Sequence, residues 1–496
     1  MAILNAGSTI TITIDAGKSL YVEGTGEIFG VGSPQVLSGE GRYGPYSSAV
    51  DLTIKATSQI TYFENVGGTP IDPYLFKSTP LSKYMGSQIY ANVTAQASTA
   101  TNFCYHMTIV IPTDAKRFRV AIDNANTSSP FRIASGAIAT SDGVGADPTF
   151  GATTGQARFT PANGTAWTAI TWAGASNVEI AAAESATLKR RQWSDWITAP
   201  TVENTDGSRL RVVMLRFWVL GTGSSPGNSY STGVYTQAWR CLAANTALHG
   251  GFLWQCIRGT VDGVAVPANF QPTTDLGASP FITSIEYEAY TPGLVINGLC
   301  GDSWLAGAVN GSSGNFGNGW IWKTVKNLRE RNPGLPIDLV NNGYAGATTT
   351  SSYKLALSMM NSSTAIGIPV IMVGSQNDGA PTQALSTAQR ARVDSLLSLW
   401  PYKEHAILTT YGPNTALAWT ATQDAERLRY NVEISALKSS AINVVDMGVV
   451  GDGATPERFG TRWTTDNSHP NENGHAIIAD NAVTNINAVL NVQTSG

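Results

Sequence analysis

After Pro292 the sequence settles into a strict alternation that leaves few folds open. Short apolar runs, LVI (294 to 296), IDLVN (337 to 341), PVIMV (369 to 373), AILTTY (406 to 411) and INVVD (442 to 446), alternate with stretches of helical period. Ile321, Val325 and Leu328 share one helical face before Pro333-Gly334. Val393, Leu396, Leu397 and Trp400 do so before Pro401, and Ile478, Ala482, Ile486 and Val489 form a final stripe. Strand then helix, repeated over about 200 residues, predicts a parallel sheet with helices on both faces. In such sheets sites gather where strands end and loops begin.

The preceding sequence obeys a different rule. Residues 8 to 14, STITITI, alternate Thr with Ile10, Ile12 and Ile14 at the period of a half-buried strand; DAGKS then reads as a turn and LYVEG as a second strand, so the chain is expected to open on a hairpin-like element. Further on, FCYHMTIVI, KRFRVAI, RLRVVMLRFWVL and ITSIEYEAY are strands separated by polar loops, which predicts a sandwich or jelly roll. A chain of 496 residues exceeds one ordinary core. The expected division is a small β-rich module over 1–70, a β-sandwich-like domain over 71–290, and an α/β/α domain over 291–496.

Composition narrows the function classes. Only 13% of residues are charged and the net charge is -4, which gives no electrostatic case for nucleic acid or an anionic membrane. Cys104, Cys241, Cys256 and Cys300 are scattered without ligand spacing, so buried free thiols are expected. The N-terminus lacks the basic and apolar segments of a Sec-type signal, and no window approaches the roughly 18 apolar residues of a membrane helix. No HExxH, no Cys/His pair at ligand spacing and no phosphate loop of the GxxxxGK type is found, and the chemistry expected below calls for no metal or cofactor.

Polar clusters follow the apolar runs. Ser303 in GDSW follows the first, NNGYAGATT (341 to 349) the second and GSQNDG (374 to 379) the third, while TTDNSHPNENGH (464 to 475) precedes the last helix. A serine hydroxyl is a poor nucleophile until an oriented base takes its proton. His469, with Asp466 three residues earlier, meets that need, because a single turn can set the carboxylate against one imidazole nitrogen and leave the other for Ser303. Backbone N–H groups of Ser303 and Gly346 and the side-chain amide of Asn377 are the available oxyanion donors. His475 is the local competitor for His469, with Glu472 on the same helix; His106, His249 and His405 fall elsewhere and are read as structural. GSSPG (223 to 227) imitates a nucleophile elbow, but it lies in a polar loop and Pro226 blocks a helix after the serine.

Gly301-Asp302-Ser303, Gly346 in GYAGAT, Asn377-Asp378 and Asp466-x-x-His469-Pro470 together resemble the four blocks of the SGNH hydrolases, also called GDSL esterases and lipases. The resemblance covers residues 292 to 496. It implies a flavodoxin-like α/β/α fold and ester hydrolysis with Ser303 as nucleophile, His469 as base and Asp466 orienting it. Ser303, Gly346 and Asn377 then form the oxyanion hole. The third block departs from the family's Gly-x-Asn-Asp, because Ser375 stands at the glycine position and Gly374 one place earlier. Asp302 and Asp378 are read as loop-holding acceptors. Trp304 and Tyr344 are expected to wall a substrate pocket, and for Trp320 and Trp322 a pocket role and a core role stand level.

Loops rich in Gly, Ser, Asn and Thr favour a small acyl group on a polar partner. The low-charge β-rich N-terminal half looks like the attachment portion of bacteriophage tail fibres and tailspikes. Together these resemblances imply an esterase that deacetylates a bacterial surface polysaccharide, carried at the virion tail as a homotrimer among other tail proteins. Two alternatives stand beside it: a bacterial carbohydrate esterase with a glycan-binding module, and a receptor-binding tail protein whose hydrolase domain no longer turns over.

Overall fold

The computed structural model describes residues 2–66, 81–140, 166–229 and 256–494, apart from short intervals inside each stretch. The GSSPG loop, Cys241 and His249 lie outside the described residues. Cys104 and Cys300 are free and buried. Burial pushes the Cys104 thiol up to about 11 and the Cys300 thiol up to about 12.

Six antiparallel strands between Ala2 and Val66 form one sheet. The Thr/Ile alternation appears in it as exposed Thr11 and Thr13 against buried Ile12 and Ile14. The expected opening hairpin does not form. Strand Thr9–Ile14 pairs instead with Val50–Ala56, Ile12 opposite Leu52, while Ser19–Phe29 pairs with three other strands. The local turn signal in DAGKS yields to a distant partner that buries Leu52 and Ile54 in the same core as Ile12 and Ile14.

Strands Phe103–Ile111, Phe131–Thr140 and Arg211–Val219 belong to a second sheet of seven strands. That sheet shares one core with a third, nine-stranded sheet: Met107, Ile109, Leu215 and Phe217 from the former meet Phe118, Val120, Ile285 and Tyr287 from the latter. The inward residues alternate along each strand, as two packed sheets require.

The nine-stranded sheet is built around one long strand, Ile282–Cys300. Its first half runs antiparallel to Ala115–Asn124, with Tyr287 opposite Phe118. Its second half runs parallel to Ile337–Asn341 and Ile368–Met372, with Leu294 opposite Ile337 and Ile296 opposite Ile368. The change of sequence pattern at Pro292 is therefore a change of partners within one strand. Pro292 is tolerated there because the register against Leu81–Gln88 shifts between Glu288 and Gly293. Glu286 of the same strand, 2% exposed, accepts from Arg119, from Ser363 Oγ and from both the backbone and hydroxyl of Thr364. It fastens the sandwich to the α/β part.

The parallel strands lie in the order Ile337–Asn341, the long strand, Ile368–Met372, Ala406–Thr409, Ile442–Val445, so the second strand in sequence flanks the first. Among the described residues six α-helices alternate with these strands: α1 (Ser303–Ala306), α2 (Trp320–Arg331), α3 (Thr349–Ser362), α4 (Gln383–Leu399), α5 (Ala421–Ser435) and α6 (Glu472–Thr494). Ile321, Val325 and Leu328 of α2 and Ile478, Ala482 and Ile486 of α6 cover one face over Leu294 and Ile296. Leu357 of α3, Val393 and Leu396 of α4 and Tyr430 of α5 cover the other over Leu299 and Ile371. The result is three layers, as the alternation predicts. Helices α3 and α5 each begin with a capping box, Thr348 with Ser351 and Thr420 with Gln423. Among the described residues no helix is long and apolar enough to cross a membrane.

Candidate active site

The long strand ends at Cys300, and Ser303 is the first residue of the one-turn helix α1. Asp302 caps that helix by accepting the Trp304 N–H at 2.9 Å, and Gly307, at φ 84°, stops it. The turn is tight: a side chain on Gly301 would fall 2.6 Å from Leu305. Ser303 thus stands at the carboxyl end of the strand flanked on either side by the second and third parallel strands, where the winding of the sheet reverses.

The Asp466–His469 loop comes from the other end of the sequence to meet it. Asn467 adopts φ 63°, a left-handed conformation that short polar residues tolerate, and the chain folds back over Asp466. Asp466 Oδ1 accepts the backbone N–H of Ser468 at 2.9 Å and of His469 at 2.7 Å, and Oδ2 lies 2.7 Å from His469 Nδ1. His469 Nε2 lies 2.9 Å from Ser303 Oγ. An ionised carboxylate can only accept, so Nδ1 carries the imidazole proton and Nε2 is left to receive one from the serine. Partial burial pushes the Asp466 carboxyl up, but the N–H groups of His469 and Ser468 and the imidazole outweigh it, and its net shift is downward.

Ser303, Gly346, Asn377 and His469 line one cavity of about 290 Å³. Gly346 has φ 80°, and a side chain there would meet nothing within 4 Å, so its need for glycine comes from backbone conformation and not from crowding. Neither the Ser303 nor the Gly346 backbone N–H has a protein acceptor among the described residues. The Asn377 amide donates to Ala347 O at 3.1 Å and Ser375 Oγ at 3.2 Å. Among the described residues the remaining lining is small or polar, from Ala308, Ala345, Gln376 and Ser468, with Leu417 as the one large apolar side chain. The Ser303 and Gly346 backbones and the Asn377 side chain thus border the same cavity as His469.

No family model matches the chain, and no curated protein matches it. Solved structures do. The lipase/acylhydrolase from Enterococcus faecalis aligns over 39% of this chain and 95% of its own, at 18% identity and a TM-score of 0.30. A member of the lipolytic protein G-D-S-L family from Veillonella parvula aligns over 39% and 96%, at 17% and 0.27. A mutant of an acetyl-xylooligosaccharide esterase from Geobacillus Stearmophilus aligns over 39% and 93%, at 20% and 0.28. These likenesses are distant, and the functional reading rests on the side chains described above.

Two residues expected in the pocket are elsewhere. Trp304 is 3% exposed, packs on Phe459 with ring centroids 5.2 Å apart, and donates its indole N–H to Ser468 O at 2.9 Å. Tyr344 is 8% exposed and does not line the cavity. Both follow glycine-flanked turns whose tightness directs large side chains into the interior. Trp320 lies in the core and Trp322 packs against it.

His475 is fully buried. Its Nδ1 accepts the Trp320 N–H at 3.1 Å and its Nε2–H donates to Ala308 O at 2.9 Å, so it pins the start of α2 to the loop after the nucleophile. Burial lowers it to about 4. Asp378 accepts from Thr349 N–H at 3.0 Å, Thr349 Oγ1 at 2.7 Å and Gln389 Nε2 at 2.9 Å, holding α3 and α4 together. Burial pushes the Asp302 carboxyl up, against the opposing pull of Ser375 Oγ and the Trp304 N–H.

The segment from Gly412 to Trp419, which brings Leu417 to the lip of the cavity, was not among the expected site residues. Its backbone N–H groups at Thr415 and Ala416 donate to Asn467 O, and Asn414 bonds both Gln376 Oε1 and the Leu417 N–H. The signal was positional: the lip follows strand Ala406–Thr409 at the same sheet edge as the three blocks used.

Proposed function

We propose that residues 292 to 496 form a serine esterase of the SGNH kind. The observation that carries this is the unbroken line Ser303 Oγ, His469 Nε2, His469 Nδ1, Asp466 Oδ2, with contacts of 2.9 and 2.7 Å. As Ser303 Oγ attacks the ester carbonyl, its proton passes to His469 and the imidazolium is held against Asp466. The oxyanion takes hydrogen bonds from Ser303 N–H, Gly346 N–H and the Asn377 amide. His469 then returns the proton to the departing alcohol, leaving an acyl-serine. Water, deprotonated by the same imidazole, releases the acid and regenerates Ser303.

The small lining of Ala308 and Ala345 favours a short acyl group, and the polar rim of Gln376, Asn377 and Ser468 favours a hydroxylated alcohol partner. The substrate proposed is an O-acetylated bacterial polysaccharide, capsule or O-antigen. The β-rich, low-charge N-terminal half supports placing the enzyme on a phage tail fibre or tailspike, as a homotrimer at the host surface. A bacterial carbohydrate esterase bearing a glycan-binding module remains the second reading, separated by trimer formation and incorporation into virions.

The first test is hydrolysis of p-nitrophenyl acetate against longer acyl esters, with Ser303→Ala as control. Acetate cleavage that disappears in the variant is expected. Folded protein inert toward every chain length and toward acetylated polysaccharide would sink the hydrolase reading in favour of a binding role.

A further inference from the structure

Position 375, where this chain departs from the family pattern, carries a serine that is 3% exposed. Its hydroxyl touches three of the four blocks. Ser375 Oγ lies 2.7 Å from Asp302 Oδ2 and 2.9 Å from Ala347 O, and it accepts the Asn377 backbone N–H at 3.1 Å. The Asn377 side-chain nitrogen stands 3.2 Å from the same oxygen and 3.1 Å from Ala347 O.

These distances fix how the Asn377 amide is used. Ser375 Oγ and Ala347 O are 2.9 Å apart, so from Nδ2 they subtend roughly 55°, whereas the two N–H bonds of a planar amide diverge by about 120°. Both acceptors thus lie close together in direction from Nδ2, and between them they hold the amide whose side chain lines the cavity. The hydroxyl has a single proton, and a carboxylate at 2.7 Å is a stronger acceptor than a carbonyl at 2.9 Å, so that proton goes to Asp302. The lone pairs of Oγ then face the Asn377 donors. Asp302 Oδ1 in turn caps α1, whose first N–H belongs to Ser303.

We infer that Ser375 is a positioning residue of the oxyanion hole: one buried hydroxyl joins the cap of the nucleophile's helix to the Asn377 amide and sets the angle between two donors. The inference rests on the hydrolase reading above. A glycine at 375 leaves the amide held by Ala347 O alone and Asp302 Oδ2 without its hydroxyl.

The test is steady-state kinetics on the full chain with p-nitrophenyl acetate. Ser375→Ala and Ser375→Gly should lower kcat by about 10- to 100-fold with KM within about threefold, because the lost alignment matters only once the oxyanion forms. In a double-mutant cycle, Ser375→Ala should add little to Asn377→Ala, since both act through the same amide. The isosteric pair Ser375→Thr and Ser375→Val separates hydroxyl from volume, and Thr should retain about tenfold more kcat than Val. Values of kcat within twofold of wild type in Ala and Gly, losses that multiply fully with Asn377→Ala, or equal rates for Thr and Val each overturn the inference. Wild-type protein without Ser303-dependent turnover overturns the hydrolase reading and this inference with it. Turnover that is Ser303-dependent yet indifferent to residue 375 overturns this inference alone.

Discussion

Trp304 donates its indole N–H to the carbonyl of Ser468 at 2.9 Å, so the residue after the nucleophile holds the residue before the base. Gln376 Nε2 reaches the same carbonyl at 3.3 Å. Two bonds that no reacting group makes thus hold the backbone beside His469. Trp304→Phe removes the donor and leaves a smaller ring between Phe459 and Gly412. Stability should fall by about 2–3 kcal/mol, from the lost bond and the space the indole vacates, and kcat by about tenfold or more as the imidazole loses its fixed approach. Denaturant melts and kinetics on one preparation check both; an unchanged kcat would show that the loop holds His469 without help.

Ser303→Ala should abolish turnover while near-ultraviolet circular dichroism stays that of wild type, since no packing is lost. His469→Ala should lose several orders of magnitude, and Asp466→Asn about 10⁴-fold, the effect of holding the wrong tautomer. Residual rates near wild type for any of the three would refute the assignment.

Acid should inhibit through one group. The Asp466 carboxyl is shifted downward, so the acid limb of log kcat/KM should have the slope of one expected of a single catalytic base. A slope of two would mean that Asp466 titrates with it.

His475 makes the fold acid-sensitive independently of catalysis. Its folded value is about 4 against 6.5 in the open chain, so between those limits the unfolded chain binds the proton that the folded one refuses. Stability contributed by this group is full above pH 6.5 and declines toward pH 4, by up to about 3 kcal/mol. His475→Asn should be less stable at pH 7, by about 1–3 kcal/mol through its altered bonds to Trp320 and Ala308, yet show a flatter loss on acidification. Urea unfolding at pH 7 and 4.5 decides it; parallel losses in both proteins would refute the assignment.

Leu417 is 44% exposed on the lip of a cavity otherwise lined by small or polar groups. Leu417→Ala should raise kcat/KM for butyrate and hexanoate relative to acetate, with the melting temperature little changed. An unaltered chain-length preference would place the acyl group away from the lip.

The layered α/β architecture was legible because it depends on local periodicity. Ile321, Val325 and Leu328 must share a face wherever their helix packs, and Ile12 and Ile14 must turn to the same side of any strand. Ser303, Asp466 and His469 were legible for a related reason: each needs a short turn whose residues are contiguous, Asp302 to Gly307 for one and Asp466 to His469 for the others. Three things depended on what lies far away in sequence. Strand Thr9–Ile14 took its partner 40 residues on. The long strand Ile282–Cys300 ran through Pro292 because neighbours on both sides completed its ladders. Trp304 turned from the cavity into the core because Ser468 and Phe459 were there to receive it. Local pattern determines which way a side chain faces on its own element, while the identity of what it faces is set by long-range packing, where burial and hydrogen bonding outweigh the preferences of a turn.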